Sequence, residues 1–411
     1  MLILELILIF SIALGVYFAL RNGDVLALFF CFGFTALYVG QYFFLHYNYN
    51  INSKYISILN EYGYKRELAG YIIIYLILVF LTIGLSTYLA NANNNKNRNI
   101  LVNHNIKVIK VKQFFYLLAL VASIFLYAQI IGWSGFLETR PNMQKGGTFG
   151  MFVCMATGIS ACTLWRAKRI YILNILVFFI STIVLILAGA RISVIYLWLT
   201  LALIIFKHLN LRITFFMLIL AVFSSIIVLI VGQAFKELTG GLVKLDSIWD
   251  SILFTVGVFY IAQTEAFVST ASTLQYQIDQ ASVPINGGIT FLNSFNLLLP
   301  SFLKDGFTYD MSSFEVYPHS IIPSAASFFL QGFFFYGVLI HCLLIFITIF
   351  LNNKIRRMDI REDKEAYIIF VFVVSAVTLV RGPMDLYIFT IIAIGIFMYL
   401  IFMIKKILNI K

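Results

Sequence analysis

The chain has 411 residues, of which 61% are hydrophobic and only 11% are charged. Soluble domains carry about 25% charged residues, so this composition excludes a soluble protein and predicts an all-α polytopic membrane protein. The net charge of +11 needs no nucleic-acid partner, because basic residues concentrate in the linkers between apolar runs. The four cysteines lie in apolar runs without CxxC spacing, and we interpret them as packing residues rather than disulfides or metal ligands.

Apolar runs follow one another along the whole chain. A transmembrane helix needs roughly 17–25 residues, and the sequence predicts about 11 such helices (11–12) in a single transmembrane domain spanning residues 1–411. The predicted spans are residues 2–20, 25–46, 69–90, 113–131, 149–165, 170–189, 192–206, 213–232, 323–350, 366–380 and 386–404. The first run has no basic n-region and no small-residue cleavage site, so we expect a retained span rather than a signal peptide.

Lysine and arginine residues set the predicted orientation. Alternation across eleven spans places the basic segments 91–112, 165–169, 207–212, 352–365 and 405–406 on one side. With the first inner turn and the C-terminal lysine, these segments carry 19 basic and five acidic residues, whereas the rest of the chain carries ten and 13. By the positive-inside rule this side is the cytoplasm. We therefore predict a multi-pass membrane protein with an outside N-terminus and linkers that contact anionic lipid.

One outer connection is far longer than the others. Residues 233–322 form a predicted outer-face loop, and a connection of this length is usually functional. Within it, residues 251–278 are apolar and aromatic with polar interruptions, and Gln263 and Glu265 would be costly in the middle of a bilayer. We predict an amphipathic helix at the membrane interface there, and a buried re-entrant pair of helices is the alternative.

Two arginines lie in very short outer turns, where the positive-inside rule does not explain them. Arg191 lies between the sixth and seventh predicted spans, and Arg381 lies between the tenth and eleventh. Each has a nearby glycine and precedes a new helix, an arrangement that favours anions and phosphate in particular. Structural roles remain open: Arg381 would pair with Asp385 at i+4, and Arg191 would reach lipid headgroups.

His319 lies at the outer end of the long loop, just before the ninth predicted span. An imidazole with an ordinary pKa of about 6.5 serves as a general base at a membrane surface. Tyr317 and Ser320 flank it as hydrogen-bonding neighbours. A histidine that merely marks the headgroup boundary is the alternative. The histidines are not closely spaced and no HExxH motif occurs, so we predict no metal site.

Three short stretches carry a resemblance to a known family. They are GAR at 189–191, PHSIIPSAASFFLQGFFFYGVL at 318–339 and RG at 381–382. With the many spans and the large outer loop, they resemble the O-antigen and capsular oligosaccharide repeat-unit polymerases (Wzy type), and more distantly the O-antigen ligases. The resemblance implies a GT-C-like, O-antigen polymerase-like membrane fold. It also implies a glycosyltransferase that polymerises polyprenyl-diphosphate-linked (undecaprenyl-diphosphate-linked) repeat units into O-antigen or capsular polysaccharide. The reaction would need no metal and would take place on the outer (periplasmic) face of a bacterial cytoplasmic membrane.

The resemblance also implies roles for individual residues. Arg191 and Arg381 would hold the diphosphate, and His319 would be the catalytic or acceptor-orienting residue. The candidate substrate-binding residues are Arg140, Tyr317, Ser320, Lys304 and Asp385. No cofactor is predicted. The implied partners are the lipid-linked oligosaccharide, membrane lipid, a chain-length regulator and a flippase.

Two other functions compete with polymerisation. An O-antigen ligase would use the same chemistry on a different acceptor, and the sequence separates it poorly from a polymerase. A polysaccharide flippase or transporter should show charged or broken helices at the midplane and repeated spans. We find no repeat relating the two halves of the chain, and the arginine and histidine candidates lie at the outer boundary. These observations favour an enzyme.

Overall fold

A computed structural model describes part of the chain. The described residues are 1–47, 69–92, 120–121, 124, 147–162, 172–187, 191–208, 266–267, 269–271, 273–274, 324–333, 336–356, 358, 362–382 and 385–407. Within these ranges the regular structure is entirely helical and no strand occurs. This agrees with the all-α fold predicted from the sequence.

Eleven α-helices are defined in the described ranges. They are α1 (Leu2–Arg21), α2 (Val25–Phe34), α3 (Gly40–Tyr47), α4 (Ala69–Ala92), α5 (Gly147–Cys162), α6 (Ile172–Leu187), α7 (Arg191–His208), α8 (Ala325–Phe333), α9 (Tyr336–Ile355), α10 (Glu362–Arg381) and α11 (Asp385–Ile407). A π-helical turn, Thr35–Val39, joins α2 to α3 without a break.

Four described helices are long and apolar enough to cross a membrane. They are Leu2–Arg21, Val25–Phe43, Gly70–Ala90 and Tyr336–Ile355. A helix of 20 residues is about 30 Å long, which matches the hydrocarbon core of a bilayer. The described helices thus fit an all-helical membrane protein. The total of about 11 spans stays a prediction, and the predicted spans 113–131 and 213–232 lie largely or wholly outside the described residues.

The ninth predicted span, 323–350, differs in the structure. Its residues belong to two helices: the short α8, and α9, which extends to Ile355 and alone reaches membrane length. The two helices pack against each other. Gly337 lies so close to α8 that a Cβ atom there would overlap the backbone carbonyl of Phe329. Only glycine permits this approach, so the structure requires the glycine at the start of α9.

The chain divides into two compact units. The first comprises Met1–Asn95, Tyr260–Arg357 and Val374–Thr390, and the second comprises Lys96–Phe259, Met358–Val373 and Ile391–Lys411.

In the first unit, α4 packs against both α1 and α9. At the α1–α4 crossing, a Cβ atom on Gly84 would lie 3.7 Å from the Cα atom of Gly15. Small residues at such a crossing let two membrane helices approach closely.

In the second unit, α5 packs against α6 and α7. Gly158 of α5 marks the close approach, since a Cβ atom there would lie 3.0 Å from the Leu197 side chain and 3.2 Å from Ser181. The rings of Phe178 and Trp198 meet edge to face with centroids 5.1 Å apart. These contacts bury the facing sides of the three helices.

The described residues of the stretch 251–278 are helical and buried. They include three hydroxyl side chains, Ser269, Thr270 and Thr273, each at most 1% exposed. An amphipathic helix at the interface would leave such polar side chains in contact with water. Their burial favours the alternative of helical structure packed inside the protein.

Helix ends that the predicted topology places on the cytoplasmic side meet within each unit. In the first unit, the side chain of Asn22 bonds to the carbonyl of Thr87, and Arg356 bonds to the carbonyl of Gly23. In the second unit, Lys207 at the end of α7 pairs with Glu365 at the start of α10. The helix directions inside each unit therefore agree with the alternation derived from basic residues.

Candidate functional site

A buried histidine in α9 organises a polar cluster near the predicted outer ends of the helices. The side chain of His341 is 0% exposed. Its Nε2 atom lies 2.8 Å from the carbonyl oxygen of Leu379, and its Nδ1 atom lies 3.0 Å from the hydroxyl of Tyr75. A carbonyl only accepts hydrogen bonds, so Nε2 carries the proton. In the neutral ring, Nδ1 therefore accepts from the Tyr75 hydroxyl.

Aromatic rings surround this imidazole and fix its orientation. The Tyr75 ring stacks on it at 6.0 Å between centroids. The rings of Phe34 and Phe329 lie 6.0 Å and 5.4 Å away. With both nitrogens bonded and three rings packed around it, the histidine has little rotational freedom.

A second group of hydroxyls lies around Tyr38 in the π-helical turn. The Tyr38 hydroxyl donates to the carbonyl of Val380 at 3.2 Å. It also lies within hydrogen-bonding reach of the hydroxyls of Ser324 and Thr270, which are 2.8 Å from each other. The backbone N–H of Ser324 donates to Ser269 at 3.0 Å. This network ties the start of α8 to the buried helical residues 269–271.

His341 and Tyr38 donate hydrogen bonds to backbone carbonyls at the C-terminal end of α10. The last four carbonyls of a helix lack partners within the helix. In α10, the N–H of Gly382 donates to the carbonyl of Thr378 at 2.6 Å. His341 donates to the carbonyl of Leu379, and Tyr38 donates to the carbonyl of Val380. Gly382 has a φ of +83°, the left-handed conformation typical of a glycine that ends a helix. The backbone that carries Arg381 is therefore held from two sides.

Of the residues predicted from the sequence, Arg381 is the one whose side chain the structure describes. It is the last residue of α10, is partly buried and makes contacts of its own. Arg191 is the first residue of α7, in the other unit, and Asp385 is the first residue of α11. The side chains of Arg191 and Asp385 lie outside the description. The other predicted residues also lie outside it: His319, Tyr317, Ser320, Lys304 and Arg140.

No role was predicted from the sequence for His341, Tyr38 or Tyr75. One signal was present in the sequence, because an ionisable residue inside a membrane span is by default a candidate for function. Its partners were not readable. Leu379 is 38 residues away and Tyr75 is 266 residues away along the chain.

A separate polar contact lies at the opposite end of the first unit. Asp24 precedes α2, where one carboxylate oxygen accepts from the N–H of Ala27 at 3.1 Å and the other accepts from the amide of Asn353. Burial raises the pKa of this carboxyl, while the N–H of Ala27 and the nearby Arg356 lower it by smaller amounts. This contact fastens the α1–α2 turn to the end of α9.

The described ranges contain no group of three or more His, Cys, Asp or Glu side chains that could hold a metal ion. The chemical groups at the His341 cluster are an imidazole, phenols and aliphatic hydroxyls, and the backbone carbonyl that Tyr38 binds belongs to Val380, the residue before Arg381. Imidazole, phenol and hydroxyl groups bind oxygen-rich ligands through hydrogen bonds, and the guanidinium group of an arginine favours an anion such as phosphate.

The fold and the cluster together describe a helical membrane protein with a buried polar site near one end of its helices. Comparisons with protein-family models, curated proteins and solved structures find no match to this chain.

Proposed function

We propose that this chain is a glycosyltransferase of the cytoplasmic membrane that polymerises oligosaccharide repeat units linked to polyprenyl diphosphate. The growing chain on its lipid diphosphate is the donor, and the end of a new lipid-linked repeat is the acceptor. Such a donor is already activated by its diphosphate, so no nucleotide-sugar domain is needed.

The observation that carries the proposal is the fixed position of Arg381. Its helix end is held by Tyr38 and His341 through two successive carbonyls and is closed by Gly382. An arginine on a rigid backbone is organised before its ligand arrives, so little free energy is spent on ordering it. A guanidinium presents a planar fork of donors that matches phosphate oxygens.

The proposed reaction transfers a glycosyl group without a metal. His319 takes the proton of the acceptor hydroxyl, whose oxygen then attacks the anomeric carbon of the donor in line. A bond forms between these two atoms, and the bond from the anomeric carbon to the diphosphate oxygen breaks. Polyprenyl diphosphate leaves with the bonding electrons, and Arg381 stabilises the negative charge that grows on it.

The test compares surface glycan ladders from cells that express Arg381→Ala, Arg381→Lys or the wild-type chain with those from cells that lack the protein. We expect the deletion and Arg381→Ala to leave single repeat units without long polymer. Arg381→Lys should restore polymer only partly, because a lysine lacks the forked bidentate contact. The matched control is Arg21→Ala. Arg21 is the last residue of α1, at the predicted cytoplasmic end of the helix, and its side chain is exposed.

Three results would contradict the proposal. A normal ladder from Arg381→Ala would show that this arginine does not bind the diphosphate. Long polymer that accumulates without its final acceptor in the deletion strain would identify a ligase. A deletion strain with lipid-linked repeats confined to the inner leaflet would identify a transporter.

A further inference from the structure

Gln41 in α3 is a buried polar side chain that the packing of the helices does not explain. It is 1% exposed. Among the residues that the structure describes, no hydrogen-bond donor reaches its Oε1 atom. A buried carbonyl oxygen without a donor costs about 1–3 kcal/mol, and such atoms are few in native proteins. Gln41 is thus a candidate for contact with something other than the protein itself.

Gln41 lies close to the polar cluster along the chain. It follows Tyr38 by three residues, about one helical turn. The rings of Phe34 and Tyr38 lie 5.4 Å apart, and Phe34 contacts the ring of His341. Gln41 lies beyond Tyr38, towards the helix end that the predicted orientation places outside.

An unusual backbone feature lies at the same place. Residues Thr35–Val39 form a π-helical turn, in which the N–H of Gly40 bonds to the carbonyl of Thr35. Isolated π-helical turns within α-helices occur frequently at functional sites. Here the wide turn carries Tyr38 and ends at Val39, two residues before Gln41.

The contact between Tyr38 and Val380 relates Gln41 to Arg381. Gln41 is one helical turn from Tyr38, and Arg381 follows Val380 in the chain. Gln41 and Arg381 therefore both lie close in sequence to the Tyr38–Val380 hydrogen bond, and both belong to the first unit. In a lipid-linked donor, the first sugar is bonded directly to the diphosphate. A residue that binds this sugar must accordingly lie near the residue that binds the diphosphate.

We propose that the Oε1 atom of Gln41 accepts a hydrogen bond from a hydroxyl of the donor sugar that is attached to the lipid diphosphate. The proposal rests on the function proposed above and adds a substrate-binding residue to it. The carboxamide is neutral, so its oxygen accepts a hydrogen bond from the hydroxyl without adding charge beside the diphosphate.

The experiment uses the purified full-length chain in nanodiscs and lipid-linked repeat units extracted from cells that lack the protein. The apparent KM and kcat for chain lengthening are measured for Gln41→Leu and Gln41→Asn, together with the Tm of each variant. The matched control is Thr35→Val. Thr35 lies on the same continuous helix, and its hydroxyl is satisfied by the carbonyl of Cys31 at 2.7 Å.

We expect Gln41→Leu to raise the KM about tenfold, the effect of losing one hydrogen bond to the substrate. Its Tm should stay the same or rise, because an unpartnered polar atom is replaced by an apolar side chain of similar size. Gln41→Asn should give an intermediate KM, and Thr35→Val should leave the KM unchanged. A loss of affinity with no loss of stability is not produced by a merely structural residue.

Two outcomes would overturn the inference while leaving the proposed function intact. One is an unchanged KM in Gln41→Leu beside inactive Arg381→Ala. The other is a fall in Tm with a matching fall in kcat, which would make Gln41 a packing residue. If the wild-type protein does not lengthen the lipid-linked repeats and Arg381→Ala cells keep a normal ladder, the proposed function itself fails.

Discussion

His341 and Tyr38 hold the end of α10, and replacing either side chain is costly because each has a buried hydrogen-bond partner. His341 bonds both to Tyr75 and to the carbonyl of Leu379. Inside a membrane protein, a backbone carbonyl that loses its partner has no solvent to replace it. The histidine thus couples the stability of the bundle to the position of Arg381.

His341→Phe should therefore destabilise the protein. The new ring fits among the neighbouring aromatic rings, but the Leu379 carbonyl and the Tyr75 hydroxyl both lose their partner. At about 1–3 kcal/mol for each orphaned group, unfolding in detergent should occur several degrees lower, and long polymer should be reduced. Tyr75→Phe should have a smaller effect because it leaves only Nδ1 without a donor. Tyr399→Phe is the control, since that tyrosine is 60% exposed. A Tm for His341→Phe equal to that of the control would contradict this role.

Asp24 predicts a pH dependence of stability. Burial raises the pKa of its carboxyl above the ordinary value of about 3.9. A raised pKa means that the folded state binds the proton more tightly, so this contribution is complete below the ordinary value and is lost as pH rises through the raised pKa. The loss is at most about 1.4 kcal/mol per pH unit.

Asp24→Asn should abolish that dependence while keeping the cap of α2, because asparagine is as good an N-cap as aspartate. The measurement is the difference in Tm between wild type and variant from pH 4 upwards. We expect the wild type to lose stability relative to Asp24→Asn as the pH rises. A constant difference, or a relative gain by the wild type, would show that burial does not dominate at this carboxyl.

At the scale of helices, glycines set how closely neighbours approach. Gly33 of α2 faces Val380, and a Cβ atom there would lie 2.6 Å from one methyl group of the valine and 3.2 Å from the other. Valine has one strongly preferred rotamer in a helix. Its side chain therefore cannot move aside without moving the backbone that bonds to Tyr38 and continues into Arg381.

Gly33→Ala should push the end of α10 away and weaken both stability and activity. Overpacking of this kind costs about 1–3 kcal/mol, and the glycan ladder should shorten in parallel. Gly70→Ala in α4 is the matched control, because no atom of a neighbouring residue lies within 4 Å of its added Cβ. That variant should be neutral or slightly stabilising, since alanine favours the helix over glycine. Equal effects of the two substitutions on the ladder would rule out the contact with Val380 as the cause.

The sequence predicted where most described helices lie, because length and hydropathy alone determine which segments can cross a bilayer. Apart from 323–350, each predicted span that matches a described helix lies within four residues of its bounds at either end. The break between α8 and α9 was not predicted, because the surrounding phenylalanine-rich run is mostly apolar and its composition does not show where one helix ends and the next begins. The contacts of Tyr38, Tyr75 and His341 also escaped, because they join helices far apart in the chain, which spacing does not reveal.

For the whole molecule, the helix contacts and the charge distribution give two different kinds of information about the topology. Contacts such as that of Arg356 with the carbonyl of Gly23 place helix ends at the same level within a unit. They do not depend on which level faces the cytoplasm. Lysine and arginine counts assign that face and nothing else. Together they predict that the long loop and the linker after α9 lie on opposite sides of the membrane.

Labelling with a membrane-impermeant maleimide tests this prediction. All four native cysteines are free and buried, so the background in the folded protein should be low. Asp310→Cys, in the predicted outer loop, should react in intact cells stripped of any outer barrier. Met358→Cys, at an exposed position just after α9, should react only once the membrane is opened. Reversed labelling would turn the site of Arg381 towards the cytoplasm, where a donor that has already crossed the membrane could not reach it. The proposed polymerisation on the outer face would then be wrong even if every helix contact described above is right.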